Sequence, residues 1–405
     1  MPKLLQISIE VNSGSVGRIA ELIGQKAIEA QWESYITYAR NNLPSKSHVI
    51  KIGKLFDVYV HGVMTRLTDR HGFYSTAPTR KLISQINEIK PDIIHLHHLH
   101  GYFINIKVLF DFLASSGIPV IWTFHDCWSF TGHCAHFEYV NCKKWITGCY
   151  NCPQKREYPA SLIFDRSKEN YLEKRKLFLS VKQMVIVPVS YWLGDLVKKS
   201  FLNQYNIHVI QNGIDTELFK PASDLRNIRE KYAFKDKFII LGVAGIWSKL
   251  KGLDDFIRLS KELDPNYLII LVGLTNQQIR NLPSNIIGIE KTENILELAS
   301  LYSVADVFVN PTYEDSFPTT NLEALACGTP VITYKTGGSA ESVSVETGFV
   351  VNKGDIMGII QCVKMIEKAG KIFYTEHCRN RALKLYNKDD NYSKYIHLYK
   401  KILRY

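Results

Sequence analysis

Short apolar runs, each closed by a turn-forming loop and followed by a segment of helical period, recur along this 405-residue chain. "KLLQISI" (3–9) is followed by a Gly/Ser turn and then by "VGRIAELIGQKAIEA", in which Val16, Ile19, Ala20, Ile23 and Ala27 return at helical spacing. "PDIIHLH" (91–97), "PVIWTFH" (119–125), "MVIVPVS" (184–190) and "IHVIQNG" (207–213) continue the series. Runs this apolar suit strands buried on both faces of a parallel sheet, with helices as the crossovers. A second series begins at "KFIILGVAG" (237–245) and proceeds through "KGLDDFIRLSKEL", "NYLIILVG", "NIIGIE", "ADVFVNP", "TTNLEALACG" and "TPVITY". Gly328 stands just past the segment read as a helix, where a left-handed cap is easy. The pattern predicts an α/β chain of two Rossmann-like, doubly wound domains facing each other across a cleft.

The length supports that division, since one core rarely serves 405 residues. We expect domains over 1–215 and 216–385, the break lying in the polar segment "TELFKPASDLRNIREKY", and an aromatic, basic helix over 386–405 that packs back on the first domain. Ligands in such sheets bind beyond the carboxyl ends of the strands, so those loops should carry the function.

Hydrophobic content of 46% and charged content of 22% indicate a globular chain without a membrane span. The start resembles no signal peptide, and the expected location is the cytoplasm, including the inner face of its membrane. The formal charge is +11; residues 141–200 hold 12 Lys and Arg against 5 Asp and Glu. Such a surface suits phosphorylated substrates or acidic lipid headgroups, or is simply solvated; no nucleic-acid module is evident. Within it, "SKENYLEKRKLFLSVKQ" (167–183) could lie on an anionic membrane through its Lys, Arg, Leu and Phe residues, or be an ordinary surface helix.

Four loops carry chemistry. "NSGSVGR" (12–18) brings Gly14 and Gly17 to a helix N-terminus, where phosphate binds readily, although a plain turn reads equally well. "TFHDCWSF" places His125 directly after a strand, able to meet a substrate hydroxyl or phosphate, or to be satisfied by Asp126. The histidines of "HLHHLHG" alternate in face, His95 and His97 on one side and His98 and His100 on the other, and a structural or cleft-lining role is the expectation. In the second half, "GIWSKLKG" supplies Lys249 and Lys251. "NPTYEDSFPTTNLEALACGTPVITYKTGG" supplies Asp315, a helix N-terminus as phosphate cradle, and Glu323 within that helix's first turns.

The stretches "IQNGIDTELFKP", "GIWSKLKGLDDFI" and "YEDSFPTTNLEALACGTPVITYKTGGSAE" resemble the retaining GT-B glycosyltransferases of family 4 (group 1), and the whole is similar to the colanic-acid type that builds bacterial exopolysaccharides. The resemblance implies transfer of a sugar from a UDP- or GDP-linked donor to a lipid-linked or oligosaccharide acceptor. Glu323 matches the second acid of the family's E-x7-E motif, which binds the donor ribose; the first acid falls on Asp315, with Glu314 one residue out of register. Lys251 matches the lysine that neutralises the diphosphate. Its usual Arg partner falls on Ile246, leaving Lys249 as a substitute. His125 matches the histidine at the transferred sugar, and Gly14 and Gly17 the loop beside the diphosphate or acceptor. Asn212, Phe317, Pro318, Thr319, Thr320 and Asn321 complete the donor-binding set. No DxD tripeptide occurs, so no catalytic metal is expected: a lysine and helix ends stabilise the leaving diphosphate. The departures at Ile246 and Asp315 keep a non-catalytic sugar-nucleotide-binding partner as the alternative, and a sugar-nucleotide epimerase of the same fold as another.

The window "GHCAHFEYVNCKKWITGCYNCP", within an insertion over 127–153, holds Cys134, Cys142, Cys149 and Cys152 in the spacing C-x7-C-x6-C-x2-C. Only the last pair has the CxxC knuckle of structural zinc sites. Structural zinc, free buried thiols and disulfides are all open readings, and the first would staple a loop too polar to fold alone.

Overall fold

The structure is a computed structural model that describes residues 1–234 and 237–404; Tyr405, the last residue of the terminal helix expected from sequence, lies outside them. The chain forms two compact units, Met1–Gln211 with Tyr392–Tyr405, and Asn212–Asn391.

In the first unit, strands β1 (Lys3–Ile7), β2 (Glu33–Tyr38), β3 (His48–Lys51), β4 (Ile93–Leu96), β5 (Val120–Phe124), β6 (Met184–Pro188) and β7 (Asn206–Ile207) form one sheet in the order 3-2-1-4-5-6-7. Every pairing is parallel. Helices α1 (Gly14–Glu29), α2 (Leu55–Thr68), α3 (Thr76–Ile89), α4 (Ile106–Ser116), α5 (Ser167–Phe178) and α6 (Tyr191–Lys199) make the crossovers. β4 and β5 are buried along their whole length, the physical origin of their unbroken apolar sequence. "IHVIQNG" yields only the two-residue β7, because past Ile207 the chain runs on as loop. Edge strand β3 is not marked by the sequence pattern: its side chains alternate with no buried face to distinguish them.

The second unit repeats the plan. Strands β8 (Phe238–Val243), β9 (Tyr267–Val272), β10 (Ile286–Ile289), β11 (Val307–Asn310), β12 (Val331–Tyr334) and β13 (Gly348–Val351) form a parallel sheet in the order 10-9-8-11-12-13. Its helices are α7 (Arg226–Lys231), α8 (Leu253–Glu262), α9 (Asn276–Arg280), α10 (Ile295–Val304), α11 (Thr319–Ala326), α12 (Ile356–Ala369) and α13 (Lys371–Tyr386). The unit boundary falls at Gln211/Asn212, ahead of the polar segment 216–232. That segment is tied into the second unit by Arg379, whose guanidinium donates to the carbonyls of Thr216 (2.9 Å) and Phe219 (2.8 Å).

The last helix, α14 (Lys388–Leu403), places Tyr392, Tyr395, Ile396, Leu398 and Tyr399 in one core cluster with Leu4, Ile23, Ile93 and Ile121 of the first unit. Two tyrosines reach the sheet: Tyr399 Oη lies 2.7 Å from His95 Nδ1, and Tyr395 Oη 3.2 Å from Thr123 Oγ1. By contrast, α5 does not present the membrane face expected of 167–183. Tyr171, Leu177 and Phe178 are buried, Phe178 against Phe110 (4.5 Å) and Trp122 (4.9 Å), and among the helix's apolar residues only Leu172 is exposed. Its apolar period serves the protein core. No helix of the described residues is long and apolar enough to cross a membrane.

Candidate active site

The strand order of the second unit reverses between β8 and β11, and a crevice at such a switch point is where open α/β sheets bind ligands. The loops leaving these two strands meet there: Tyr313 N–H donates to Leu250 O (2.8 Å), and Thr312 Oγ1 to the same carbonyl (3.3 Å). Lys251 ends a short turn, Lys249–Lys251, and its Nζ donates to Asp315 Oδ2 at 2.6 Å. Gly252 follows at φ +77°, and a Cβ on it would stand 2.4 Å from Pro311 O. Only glycine lets the β8 loop approach the β11 loop this closely. The ammonium is thus held over the switch point while still partly open to solvent. Ile246 is 79% exposed on the same β8 loop and brings no charge; Lys249 is exposed.

Beyond Asp315 the chain enters α11 through Pro318, with no side chain capping the helix. The first N–H groups, at the half-buried Thr319 and Thr320, are therefore not taken by a cap. Asn321 is buried and wholly engaged within the protein. Its amide donates to Ser339 Oγ (3.1 Å) and Ser342 Oγ (2.9 Å), and its Oδ1 accepts from Asn310 (2.8 Å). It fixes the helix start to β11 and to the turn after β12. Phe317 and Pro318 are also buried, and Asn212 Nδ2 donates to Phe317 O (3.4 Å). Asn212, Phe317, Pro318 and Asn321 therefore shape the cradle from behind. Glu323 is half-buried and its Oε2 accepts from Tyr302 Oη at 2.9 Å, a partner that no local motif announces. Burial, then the Glu323 carboxylate, hold the Tyr302 hydroxyl protonated.

In the first unit the strand order reverses between β1 and β4. Gly14, at φ +60°, opens α1, and Gly17 lies over Glu10: a Cβ on Gly14 would meet Glu10 Oε2 at 2.8 Å, and one on Gly17 would meet Glu10 O at 3.0 Å. The Glu10 carboxylate thus lies beside this loop, and its Oε1 accepts from Asn41 Nδ2 (2.8 Å). Across the switch point runs a buried hydrogen-bond chain. Gln6 donates through Nε2 to Ala20 O (2.8 Å), which leaves its Oε1 to accept from His97 Nε2–H (3.0 Å). His97 Nδ1 is then an acceptor and receives the Nε2–H of His125 (3.2 Å). His125 is held neutral, its pKa well below the usual value through burial and then through His98 and His97. Its Nδ1 is left as a lone pair able to accept from a hydroxyl.

Asp126 does not partner His125. Its Oδ2 lies 2.6 Å from His100 Nε2 and 3.1 Å from His98 Nε2, and Oδ1 accepts from Trp128 N–H (2.9 Å). Burial works against its charge, but the two histidines hold its carboxyl well below the usual range. His98, His100 and Asp126 are the one set of three or more metal-capable groups within 4.8 Å of each other among the described residues. The contacts of Asp126 explain that convergence without an ion.

Cys134, Cys142, Cys149 and Cys152 line one cavity with His133, Phe137 and Trp145. None is in a disulfide. Cys152 is brought down to about 7, first by its hydrogen bond with Cys134, whereas burial pushes Cys149 up to about 11.

Comparison with known proteins identifies the class. Residues 224–382 match the family model described as "Glycosyl transferases group 1" and residues 26–218 that described as "Glycosyltransferase Family 4". The chain is a glycosyltransferase with the GT-B fold. It is 25% identical, over 98% of its own length and 100% of the relative's, to the Escherichia coli protein WcaC, named for colanic acid biosynthesis glycosyl transfer. It is 26% identical to an E. coli UDP-Gal:alpha-D-GlcNAc-diphosphoundecaprenol alpha-1,3-galactosyltransferase, over 47% of this chain and 53% of that one. Among solved structures, Anabaena HepE in complex with UDP-glucose superposes with a TM-score of 0.65 at 16% identity, covering 98% of this chain and 99% of that chain.

Proposed function

We propose that the chain moves a sugar, with retention of anomeric configuration, from a nucleotide-sugar donor to a lipid-linked or oligosaccharide acceptor in cell-surface polysaccharide biosynthesis. The observation that carries this reading is the Lys251–Asp315 pair at the switch point of the second unit, next to the uncapped start of α11. As the donor's glycosidic bond breaks, negative charge grows on the leaving diphosphate. The Lys251 ammonium and the Thr319 and Thr320 N–H groups are already in place and stabilise it without reorganising. In this reading the cations and dipoles of the chain itself serve, with no catalytic metal. Glu323 accepts from the donor ribose while keeping its bond to Tyr302, and neutral His125 accepts from a sugar hydroxyl. The relatives support the substrate classes by name: one is a UDP-Gal enzyme acting on a diphosphoundecaprenol acceptor, and one structural neighbour holds UDP-glucose.

A lipid-linked acceptor implies work at a membrane, and α2 offers the surface. Leu55, Phe56, Tyr59, Val60, Val63 and Leu67 are exposed along it. Leu162 N–H donates to Arg66 O (2.8 Å), which sets the exposed Leu162, Ile163 and Phe164 beside its last turn. Lys54, Arg66, Arg156 and Arg166 are exposed in the same segments, offset in part by Asp57, Glu157 and Asp165.

The test is incubation with UDP- and GDP-sugars, with and without polyprenyl-diphosphate sugars. Nucleoside diphosphate released only with acceptor, and a product whose anomeric proton matches the donor's, is expected. Epimerised donor without acceptor, or nucleotide binding that never turns over, would sink the proposal.

A further inference from the structure

We propose that Cys134, Cys142, Cys149 and Cys152 together hold one structural zinc ion, whose double negative charge as a tetrathiolate is offset in part by the buried ammonium of Lys174. The stretch between β5 and α5 contains no strand or α-helix among the described residues, only the short turns Trp128–Phe130 and Lys144–Ile146. So long an irregular segment is uncommon in a compact unit without a further constraint. Its four spaced cysteines nonetheless converge on one cavity.

The surroundings are those of a thiolate site. Gly132 N–H donates to Cys149 Sγ (3.2 Å), and the backbone N–H of Gln154 donates to Cys152. Such N–H···S bonds orient metal-bound sulfurs and moderate their charge. Gly132 must be glycine for this contact, since a Cβ would stand 2.8 Å from Cys149 Cβ and 1.9 Å from Ser167 O. The counter-charge is Lys174, 1% exposed on α5. Its Nζ donates to the carbonyls of Trp128 (2.8 Å) and Thr131 (3.2 Å) and sits 3.4 Å from the centroid of the Trp128 ring. These partners are neutral, and a buried cation with only neutral partners is costly. Burial pulls its pKa down to about 7, and Cys149 and then Cys134 work against that pull.

Binding replaces the remaining thiol protons, which leave to solvent, and each sulfur gives the ion one lone pair. The sulfurs must draw inward on binding, since no three of them lie within 4.8 Å of one another. The ion would pin the carbonyls that Lys174 holds, and through Trp128 the loop that carries Asp126 and His125.

Elemental analysis of the full chain from zinc-supplied cells tests this without reference to activity. One zinc per chain, released by mercurial titration of thiols, is expected. Cys142→Ser and Cys152→Ser should lose it, while Cys327→Ser, buried in the second unit, should keep it. Lys174→Met should lower metal retention against a chelator by about 10-fold or more, the usual effect of losing an outer partner. If the serine variants do not fold, wild-type chain reconstituted with Co²⁺ should show the thiolate charge-transfer and tetrahedral d–d bands. A folded, zinc-free wild type after zinc supply, an octahedral cobalt spectrum, or an intact mass showing disulfides among these cysteines would each overturn the proposal.

Discussion

Lys251 and Asp315 lie 64 residues apart in sequence, yet each belongs to a short motif that ends a strand, so both were legible in the sequence itself. Their partnership was not, because it arises from the adjacency of β8 and β11. Replacing Lys251 by Ala should lower kcat/KM by about 10²–10³-fold, the range for losing one charge-stabilising group. Lys251→Arg should retain more, and steady-state kinetics at saturating acceptor would show it. An unchanged Lys251→Ala rate would remove the residue from the mechanism. Tyr302 had no motif at all: it is one buried tyrosine in a helix, and only the fold brings it to Glu323. Tyr302→Phe removes that bond but keeps the ring. We expect a loss of about 1 kcal/mol in stability and a several-fold rise in donor KM at little-changed kcat. Gln6 was hidden in the same way, and His97, named from the sequence only as structural or cleft-lining, gains its part from the fold, since the proton position on His125 follows from a chain linking residues 6, 97 and 125.

At the scale of elements, the buried strands read most clearly because burial on both faces leaves no polar positions. The edge strands and α5 read poorly for a related reason. Exposure, not residue type, separates a core-packed helix from a membrane-lying one, and exposure is a tertiary property. β4 and its loop show a consequence of this. His95 is fully buried between Tyr399, Thr123 and the rings of His97 and Tyr395, and burial, then His125, lower its pKa to about 3; burial alone takes His61 of α2 to about 3. Their unfolded counterparts titrate near 6.5, so below that pH the unfolded chain takes up protons that the folded unit refuses. The stabilisation is complete above about pH 6.5 and is lost as pH falls toward about 3. His133, whose pKa Asp69 raises against the pull of burial, contributes in the opposite sense. Each fully buried neutral histidine should cost the fold about 2 kcal/mol between pH 6.5 and 5. Urea unfolding followed by the fluorescence of Trp122 and Trp128, both buried in the first unit, should show a midpoint that falls over this range. A pH-independent midpoint would mean that the histidines are protonated in the folded state. Tyr399→Phe, which strips His95 Nδ1 of its partner, should by itself cost about 1–3 kcal/mol.

At the scale of the whole molecule, the sequence carries a formal charge of +11 but does not say which face meets a partner. Residues 141–200 hold the charge excess, yet the apolar positions of α5 are spent on the core. Exposed apolar residues of the first unit gather on α2 and at 162–164, where Leu and Phe side chains stand among Lys and Arg. A bilayer matches both properties: inserted apolar side chains gain about 25 cal/mol per Å² buried, and each cation near an anionic surface adds about 1 kcal/mol. Neither suffices alone for a peripheral protein, so binding should need anionic lipid and weaken with salt. Flotation with vesicles of phosphatidylglycerol and phosphatidylethanolamine should carry the chain upward at low ionic strength and less so at high. Phe56→Asp with Val63→Asp should abolish flotation while leaving the melting temperature and turnover of a water-soluble acceptor unchanged, because both side chains are exposed. Flotation retained by this variant would move the contact elsewhere, and flotation on neutral lipid alone would show that the charge has no part in it.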